Sequence, residues 1–347
     1  MFHSSRSGDG SMTPPGPSPV SPVGLVLGSH MPPGDIVAMA RLAEELGFGE
    51  LWFSEDCFFS GGIAGSTAAL AATTSLPLGL GIVSAATRHP AILAMELATL
   101  DVLFPGRIYG GIGHGVPAWL DQMGLMPPKA LSALRQCVTA VRRLLDGEEL
   151  TETGHFQFDK IALTHPAATR VPLYTGVVNE RGLTLSGEIA DGTVLSTLSS
   201  PAYVRWARER VDEGVRRGGH TRPHRLVTYT LFSVDHDGAV AKDAVRESIA
   251  FYLAAMPDNA LSEVYGIRDE LAALLAEGGE NAVEHLARAM PDSWVEDLAV
   301  AGEPDECAEK VRRLIDAGSD SVGLWLFPAP DAHRIATMTA RDVLSRL

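Results

Sequence analysis

The chain has 347 residues, 46% of them hydrophobic, and a formal net charge of −15 at pH 7. Its size allows one barrel-sized core or two smaller ones. The acidic balance argues against nucleic-acid binding through a basic face, and no long uncharged apolar run predicts a membrane span. Cys57, Cys137 and Cys307 lie far apart, so we expect neither a disulfide framework nor a CxxC zinc site, and the reducing cytoplasm is favoured.

Residues 1–22 are rich in Ser, Pro and Gly and lack the apolar core of a signal peptide. They predict a disordered tail before a single domain at 23–347.

Apolar strand-like runs alternate with helical patterns along this domain. The runs lie at 24–29, 50–55, 76–84, 107–112, 171–176, 192–196, 225–235 and 321–327. Helices are predicted from Asp35, Ser66, Pro90, Pro201 and Gly238, one more ends at Ile189, and a last one follows the eighth run. Eight strand and helix units predict an α/β fold, a (β/α)8 TIM barrel. The alternative is a doubly wound open sheet, but the first run ends in GSHMPPG rather than a phosphate fingerprint.

Residues 257–300 are helical in pattern and lack an apolar strand. They predict an insertion between strands 7 and 8, which would form a lid or a dimer surface.

A barrel of this type carries its chemistry where the strands end at their carboxyl side. Position alone therefore selects Ser29 and His30, 55–59, 83–89, 113–119, 176–181, 196–200, 235–237 and 327–330. Two other patterns predict no metal site. Pro223 interrupts the pair His220 and His224, and the DHDG run at 235–238 does not continue as a calcium loop.

Four segments resemble the luciferase-like monooxygenase superfamily, in particular the branch that uses the deazaflavin coenzyme F420. They read LAEELGFGELWFSED, LGLGIVSAATRHPAILAMELATLD, GRIYGGIGHG and VPLYTGVVNERGLTLSGEIADG. The resemblance implies hydride transfer between the deazaflavin and a small organic substrate, with reduction of a C=N or C=C bond favoured. It also implies a homodimer. The alternatives are an FMN-dependent monooxygenase and a non-catalytic barrel that binds the deazaflavin.

The resemblance further implies a cofactor site. A cis peptide bond between Gly81 and Ile82 would back the ring, and Gly113, His114 and Gly115 would lie near its redox face. The phosphate would contact Gly176, Val177, Val178 and Asn179, while Arg181 is either a ligand or a solvated helix residue. GIGHG is not a dinucleotide motif, because Val116 stands where the third glycine of GxGxxG is needed.

The proton-transfer residues implied by the resemblance are altered in this chain. Asp56 stands where relatives often have His, and Val116 where sugar-phosphate dehydrogenases have Glu. Asp56 is therefore either a proton donor whose pKa its neighbour Glu55 raises, or a loop cap. Glu55 either takes part in catalysis or bonds backbone and ring, and His114 is either catalytic or structural.

Several remaining features bear on the substrate. Phe58, Phe59 and Trp119 are expected either to form an apolar substrate wall or to serve in packing or a dimer contact. Arg88-His89-Pro90 resembles the RHP of methylene-pterin reductases, but the carboxylate those enzymes use in the first strand is missing here. Few basic residues follow the later strands, so we expect a neutral or apolar substrate rather than a phosphorylated one.

Overall fold

The computed structural model describes residues 21–28 and 31–347. Residues 1–20 of the predicted tail, and the candidates Ser29 and His30, lie outside the described residues. In the part that is described, no helix has the length and apolar character needed to cross a membrane.

The strands are β1 (Val23–Leu27), β2 (Leu51–Phe53), β3 (Leu78–Leu80), β4 (Val83–Ser84), β5 (Ile108–Gly113), β6 (Leu150–Thr153), β7 (Gln157–Ile161), β8 (Leu173–Gly176), β9 (Gly192–Leu195), β10 (Arg225–Val234), β11 (Ala299–Gly302) and β12 (Ser321–Leu326). The α-helices are α1 (Ile36–Glu45), α2 (Gly62–Ala72), α3 (Pro90–Leu103), α4 (Pro117–Gln122), α5 (Ala130–Leu145), α6 (Glu180–Ile189), α7 (Pro201–Gly218), α8 (Gly238–Ala255), α9 (Ala260–Tyr265), α10 (Arg268–Gly278), α11 (Ala282–Ala289), α12 (Asp292–Leu298), α13 (Pro304–Asp316) and α14 (Ala332–Met338).

Parallel pairing closes the sheet in the order β1, β2, β3, β5, β8, β9, β10, β12 and back to β1. Strand β4 continues the third position by pairing with β5. The predicted (β/α)8 barrel is confirmed. Its strands are buried along almost their whole length, as expected for parallel strands covered on both faces.

Side-chain caps explain several helix starts. Ser200, Asp237 and Asn259 each accept a backbone N–H bond at the start of α7, α8 and α9, so α7 and α8 begin where the sequence predicts. Helix α2 was predicted from Ser66 but begins at Gly62, where the Glu55 carboxylate accepts the first N–H. This partner is seven residues away and gives no local sequence signal.

The barrel interior contains a layer of aromatic side chains and, towards the amino ends of the strands, a cluster of charged and polar ones. Trp52 contacts Tyr174 with ring centroids 5.2 Å apart, and Tyr229 lies 6.0 Å from Trp52. Beneath them Glu50, 2% exposed, accepts 2.6 Å bonds from Arg225 and from Ser321. The side chains that fill a barrel of this kind make it a packed core rather than a pore, so ligands bind at its mouth.

The segment between β10 and β12 differs from the prediction at its end. Helices occupy most of 257–300, but Ala299–Gly302 forms β11, where no strand was predicted. Strand β9 pairs only with the first four residues of β10, and β11 pairs with the last four, Leu231 to Val234. Pairing with β11 satisfies backbone groups on an edge that β9 is too short to cover.

The insertion has a core of its own. Val245 and Ile249 of α8 pack with Leu271, Leu286 and Trp294 from the helices that follow. The hairpin of β6 and β7 was also not predicted; it lies between α5 and β8.

Candidate active site

Glu55, which follows β2, is held by a two-pronged ion pair. Arg88 donates to its two oxygens at 2.5 and 2.8 Å, and Gly62 N donates to Oε2 at 2.7 Å. The side chains of Glu55 and Arg88 are only 12% and 22% exposed. These contacts give Glu55 a structural task, joining the end of β2 to α2 and to the loop before α3. Its part in catalysis stays a prediction.

The Arg88-His89-Pro90 turn starts α3. Nδ1 of His89 accepts the N–H of Ala91 at 3.2 Å, and Nε2 donates to the carbonyl of Gln157 at 3.2 Å. Pro90 occupies the first helical position, where a missing N–H costs nothing. In this chain the motif orders the helix start and the β6–β7 hairpin.

The peptide bond between Gly81 and Ile82 is cis, as the resemblance implied. The half-buried Ile82 side chain lies across glycines of β5 and β8: a Cβ on Gly113 would meet its Cδ1 at 1.8 Å, and one on Gly176 would meet it at 2.7 Å. A Cβ on Gly81 would meet the Tyr229 hydroxyl at 1.7 Å. Packing around Ile82 and Tyr229 therefore requires these glycines, whether or not they also touch a cofactor.

The predicted phosphate loop leads into α6, whose first N–H groups have no partner within the helix. The Val178 carbonyl accepts the Tyr203 hydroxyl at 2.6 Å, while Val177 is buried. Asn179 does not cap α6; its Oδ1 accepts the N–H of Ala260 at 3.1 Å, which ties the loop to the start of α9. Arg181 is exposed on α6.

His114 follows β5 and is half-buried. Burial lowers the pKa of His114, against the opposite effect of a hydrogen bond to the Ala130 backbone. The imidazole is therefore neutral at pH 7 and engaged with the start of α5. It is not among the residues that line the cleft described next. The neighbouring Gly115 has φ +80°, and a Cβ there would meet Ser84 Oγ at 2.6 Å.

A cleft of about 820 Å³ opens at the barrel mouth, between the loops after β2 and β5 and the helices α8 and α11. This volume lies high in the range of roughly 300 to 1,000 Å³ typical of small-molecule pockets. Its aromatic wall consists of Phe59, Trp119, Phe251, Tyr252 and Phe327. The Phe59 and Trp119 rings are 6.2 Å apart, so the structure brings together two of the three predicted substrate residues. Phe58 is 67% exposed at φ +74° and does not line the cleft.

Asp56 is one of the residues that line this cleft. Burial raises the pKa of Tyr252, and the charge of Asp56 raises it further. The same charge adds to the rise that burial and Glu50 cause in the pKa of Tyr229. The charge of Asp56 therefore acts on phenols of both the barrel and α8, and its part in catalysis stays a prediction. Cys57 has a raised pKa, mainly from burial, which is not the property of an activated nucleophile.

Sequence reasoning missed the cleft residues that lie on α8 and α11. Helix α8 supplies Glu247, Phe251 and Tyr252, and α11 supplies Glu284 and Arg288. The available signal in the sequence was the adjacent aromatic pair Phe251 and Tyr252 in the helical pattern of α8. The structure shows that Phe251 is 54% exposed. Among the described residues, no cluster of His, Cys, Asp and Glu could hold a metal ion.

Comparison with known proteins gives consistent matches. A family model described as luciferase-like monooxygenase matches residues 1–321. The 5,10-methylenetetrahydromethanopterin reductase of Methanolobus tindarius is 28% identical and aligns with 92% of this chain and 100% of its own. The F420-dependent glucose-6-phosphate dehydrogenase of Microbacterium testaceum is 25% identical, covering 91% and 94%. The structure of the coenzyme F420-dependent tetrahydromethanopterin reductase from Methanopyrus kandleri superposes with a TM-score of 0.83 at 26% identity, covering 94% and 99%.

Proposed function

This chain belongs to the luciferase-like monooxygenase family, and from that premise we propose that it is a coenzyme F420-dependent oxidoreductase acting on a small organic substrate. The observation that carries the proposal is the match to F420-dependent enzymes over more than nine tenths of the chain. Reduction of a C=N or C=C bond is the favoured reaction.

The residues at the carboxyl ends of β3, β5 and β8 fit this cofactor. Ile82 presents a partly exposed apolar side chain against the glycines of β5 and β8, which suits a planar ring. The loop from Gly176 to Asn179 and the start of α6 supply backbone N–H groups for a phosphate. When bound, the deazaflavin would supply the hydride, and the barrel would fix which face it presents.

The residues of this chain must position the substrate and donate a proton to it. Asp56, in its protonated form, is the better candidate for donating one, because it lines the cleft and His114 does not. If neither Asp56→Asn nor His114→Gln lowers turnover, the proton comes from elsewhere.

One titration tests the cofactor. The purified protein receives F420, reduced F420 or FMN, and fluorescence reports binding. Tight binding of F420 supports the proposal, whereas binding of FMN alone overturns it. Tight F420 binding without turnover of imines, enones or alcohols would indicate the non-catalytic barrel.

The proposal includes a homodimer formed through α2 and α3. Four outward positions of α3 are apolar and exposed: Ile92, Met95, Val102 and Leu103 are 46% to 60% exposed. The outward side of α2 has small residues such as Ala64 and Ala71, and a helix apolar all round is normally buried. A second copy of the same two helices would cover this face.

Light scattering tests the dimer. Met95→Glu should convert a dimer to a monomer, whereas Val240→Glu, at an exposed apolar position on α8, should leave the mass unchanged. A monomeric parent protein would exclude the dimer.

A cytoplasmic location is also proposed. It is supported by Cys57, Cys137 and Cys307, all of which are free thiols. Recovery of the full chain in the periplasmic or secreted fraction of its cells would contradict it.

A further inference from the structure

The cleft wall is suited to a large apolar body. Phe59 and Trp119 form one side, and Phe251 packs edge-on against Tyr252 with centroids 5.3 Å apart on the other. Tyr252 also contacts Trp325, with ring centroids 6.0 Å apart, and Trp325 contacts the cleft residue Phe327 at 6.3 Å. Aromatic walls on two sides and a volume of about 820 Å³ suit a substrate of several fused or linked rings.

The charges on the cleft are mostly negative. Among the described lining residues, Asp56, Glu247 and Glu284 are acidic, and Arg288 is the one basic residue. Arg288 is already engaged with Glu284, through an ion pair at 3.8 Å and a bond to its carbonyl at 3.3 Å.

A further guanidinium, that of Arg246 next to Glu247 in the sequence, bonds to residues that do not line the cleft. Arg246 of α8 pairs with Asp292 and donates to the carbonyl of Met290 at 3.3 Å. An anionic substrate group would therefore face three carboxylates and one guanidinium on the described lining, which is an excess of negative charge. The predicted phosphate loop at 176–179 does not line this cleft, so the anionic part of the cofactor is not in conflict with it.

We propose that the cleft between Phe59, Trp119 and Phe251 selects a bulky apolar substrate that carries no negative charge, and excludes phosphorylated or carboxylated molecules. The inference rests on the proposed function for the cleft's role as a substrate site. It separates this chain from relatives named for a sugar phosphate, although the fold is shared.

Three pyrene derivatives of matched size test the proposal: 1-pyrenemethanol, 1-pyrenemethylamine and 1-pyrenecarboxylate. Their binding to the purified full-length protein is followed by energy transfer from tryptophan, with and without saturating F420. We expect the alcohol and the ammonium to bind about tenfold more tightly than the carboxylate, the size of one like-charge interaction at moderate dielectric. Equal or tighter binding of the carboxylate would overturn the proposal.

Paired variants locate the site. Phe59→Ala should weaken binding of the alcohol about fivefold or more, whereas Phe58→Ala, on the same loop but outside the cleft, should leave it unchanged. Glu247→Gln should reduce the difference in affinity between 1-pyrenecarboxylate and 1-pyrenemethanol, and should leave the affinity for the alcohol unchanged. The charge ranking in the unmodified protein decides the matter if a variant fails to fold.

The two proposals fail separately. If F420 binds but no pyrene does, or if Phe58→Ala and Phe59→Ala weaken binding equally, the substrate inference falls and the cofactor proposal stands. If the pyrenes rank as expected and F420 does not bind, the cleft retains its selectivity and the proposed function is wrong.

Discussion

Replacing Arg88 with Met should destabilise the protein through the loss of its contacts with Glu55. The guanidinium makes two charged hydrogen bonds to Glu55 and lies 3.4 Å from Glu96. Its removal leaves the Glu55 carboxylate, 12% exposed, with the hydrogen bond from Gly62 N. The backbone at the start of α2 should then lose order together with the cleft residue Asp56.

The magnitude follows from burial and bond type. Breaking a fully buried ion pair costs about 3 to 5 kcal/mol, and an exposed pair about 0 to 1 kcal/mol. Because water reaches a fifth of Arg88 and an eighth of Glu55, we expect a loss of about 2 to 3 kcal/mol. Arg288→Met is the matched control, since its pair with Glu284 is 76% exposed on both sides and should contribute less than about 0.5 kcal/mol.

A double-mutant cycle in urea measures the interaction directly. Arg88→Met, Glu55→Gln and the double variant should show a coupling of about 1.5 kcal/mol or more. F420 titration and turnover are measured in parallel, and Glu55→Gln should keep turnover if the residue acts only as an anchor. Additive effects of the two changes, or a loss below about 0.5 kcal/mol for Arg88→Met, would refute the reasoning.

Three further predictions concern other buried contacts. Burial lowers the pKa of His224 from 6.5 to about 4. As the pH falls from 6.5 to 4, the unfolded chain therefore takes up a proton before the folded protein does, and the free energy of unfolding decreases. His224→Gln should remove about 3 kcal/mol of this decrease in urea titrations at several pH values, and an unchanged dependence on pH would contradict the prediction. Gly113→Ala should lower the free energy of unfolding by about 1 to 3 kcal/mol, measured by thermal unfolding. Adding Ile82→Val, which deletes the clashing Cδ1 atom, should reduce this loss of stability. An undiminished loss in the double variant would count against the packing argument. Glu50→Gln should cost about 3 kcal/mol in urea by leaving Arg225 unpaired, and a neutral result would show that water replaces the pair.

The fold was predictable because its signals are local. Apolar runs such as 76–84 and 225–235 mark buried strands, and Pro90 and Pro201 mark helix starts. The strand at 299–302 was missed because AVAG is short and follows a helical pattern directly. Its existence depends on the uncovered edge of β10, which is a property of the assembled barrel.

The site was predictable only as a set of positions. Strand ends identified Asp56, Phe59 and Trp119, which do share the cleft. The contacts that decide their roles join distant residues: Glu55 meets Arg88 across 33 positions, and Asn179 meets Ala260 across 81. No spacing rule predicts such pairs, so the sequence indicated which positions share the cleft better than what each residue does there.

Strand β10 holds both ends of the segment that forms the α8 and α11 side of the mouth. Its first four residues complete the barrel against β9, while its last four hold β11 and with it the helices from α8 to α12. The segment that carries Phe251, Tyr252 and Glu247 thus leaves and rejoins the barrel along one strand. Exchange of residues 238–302 between relatives, with the bond between Asn179 and Ala260 retained, offers a route to new substrate preference on an unchanged cofactor scaffold.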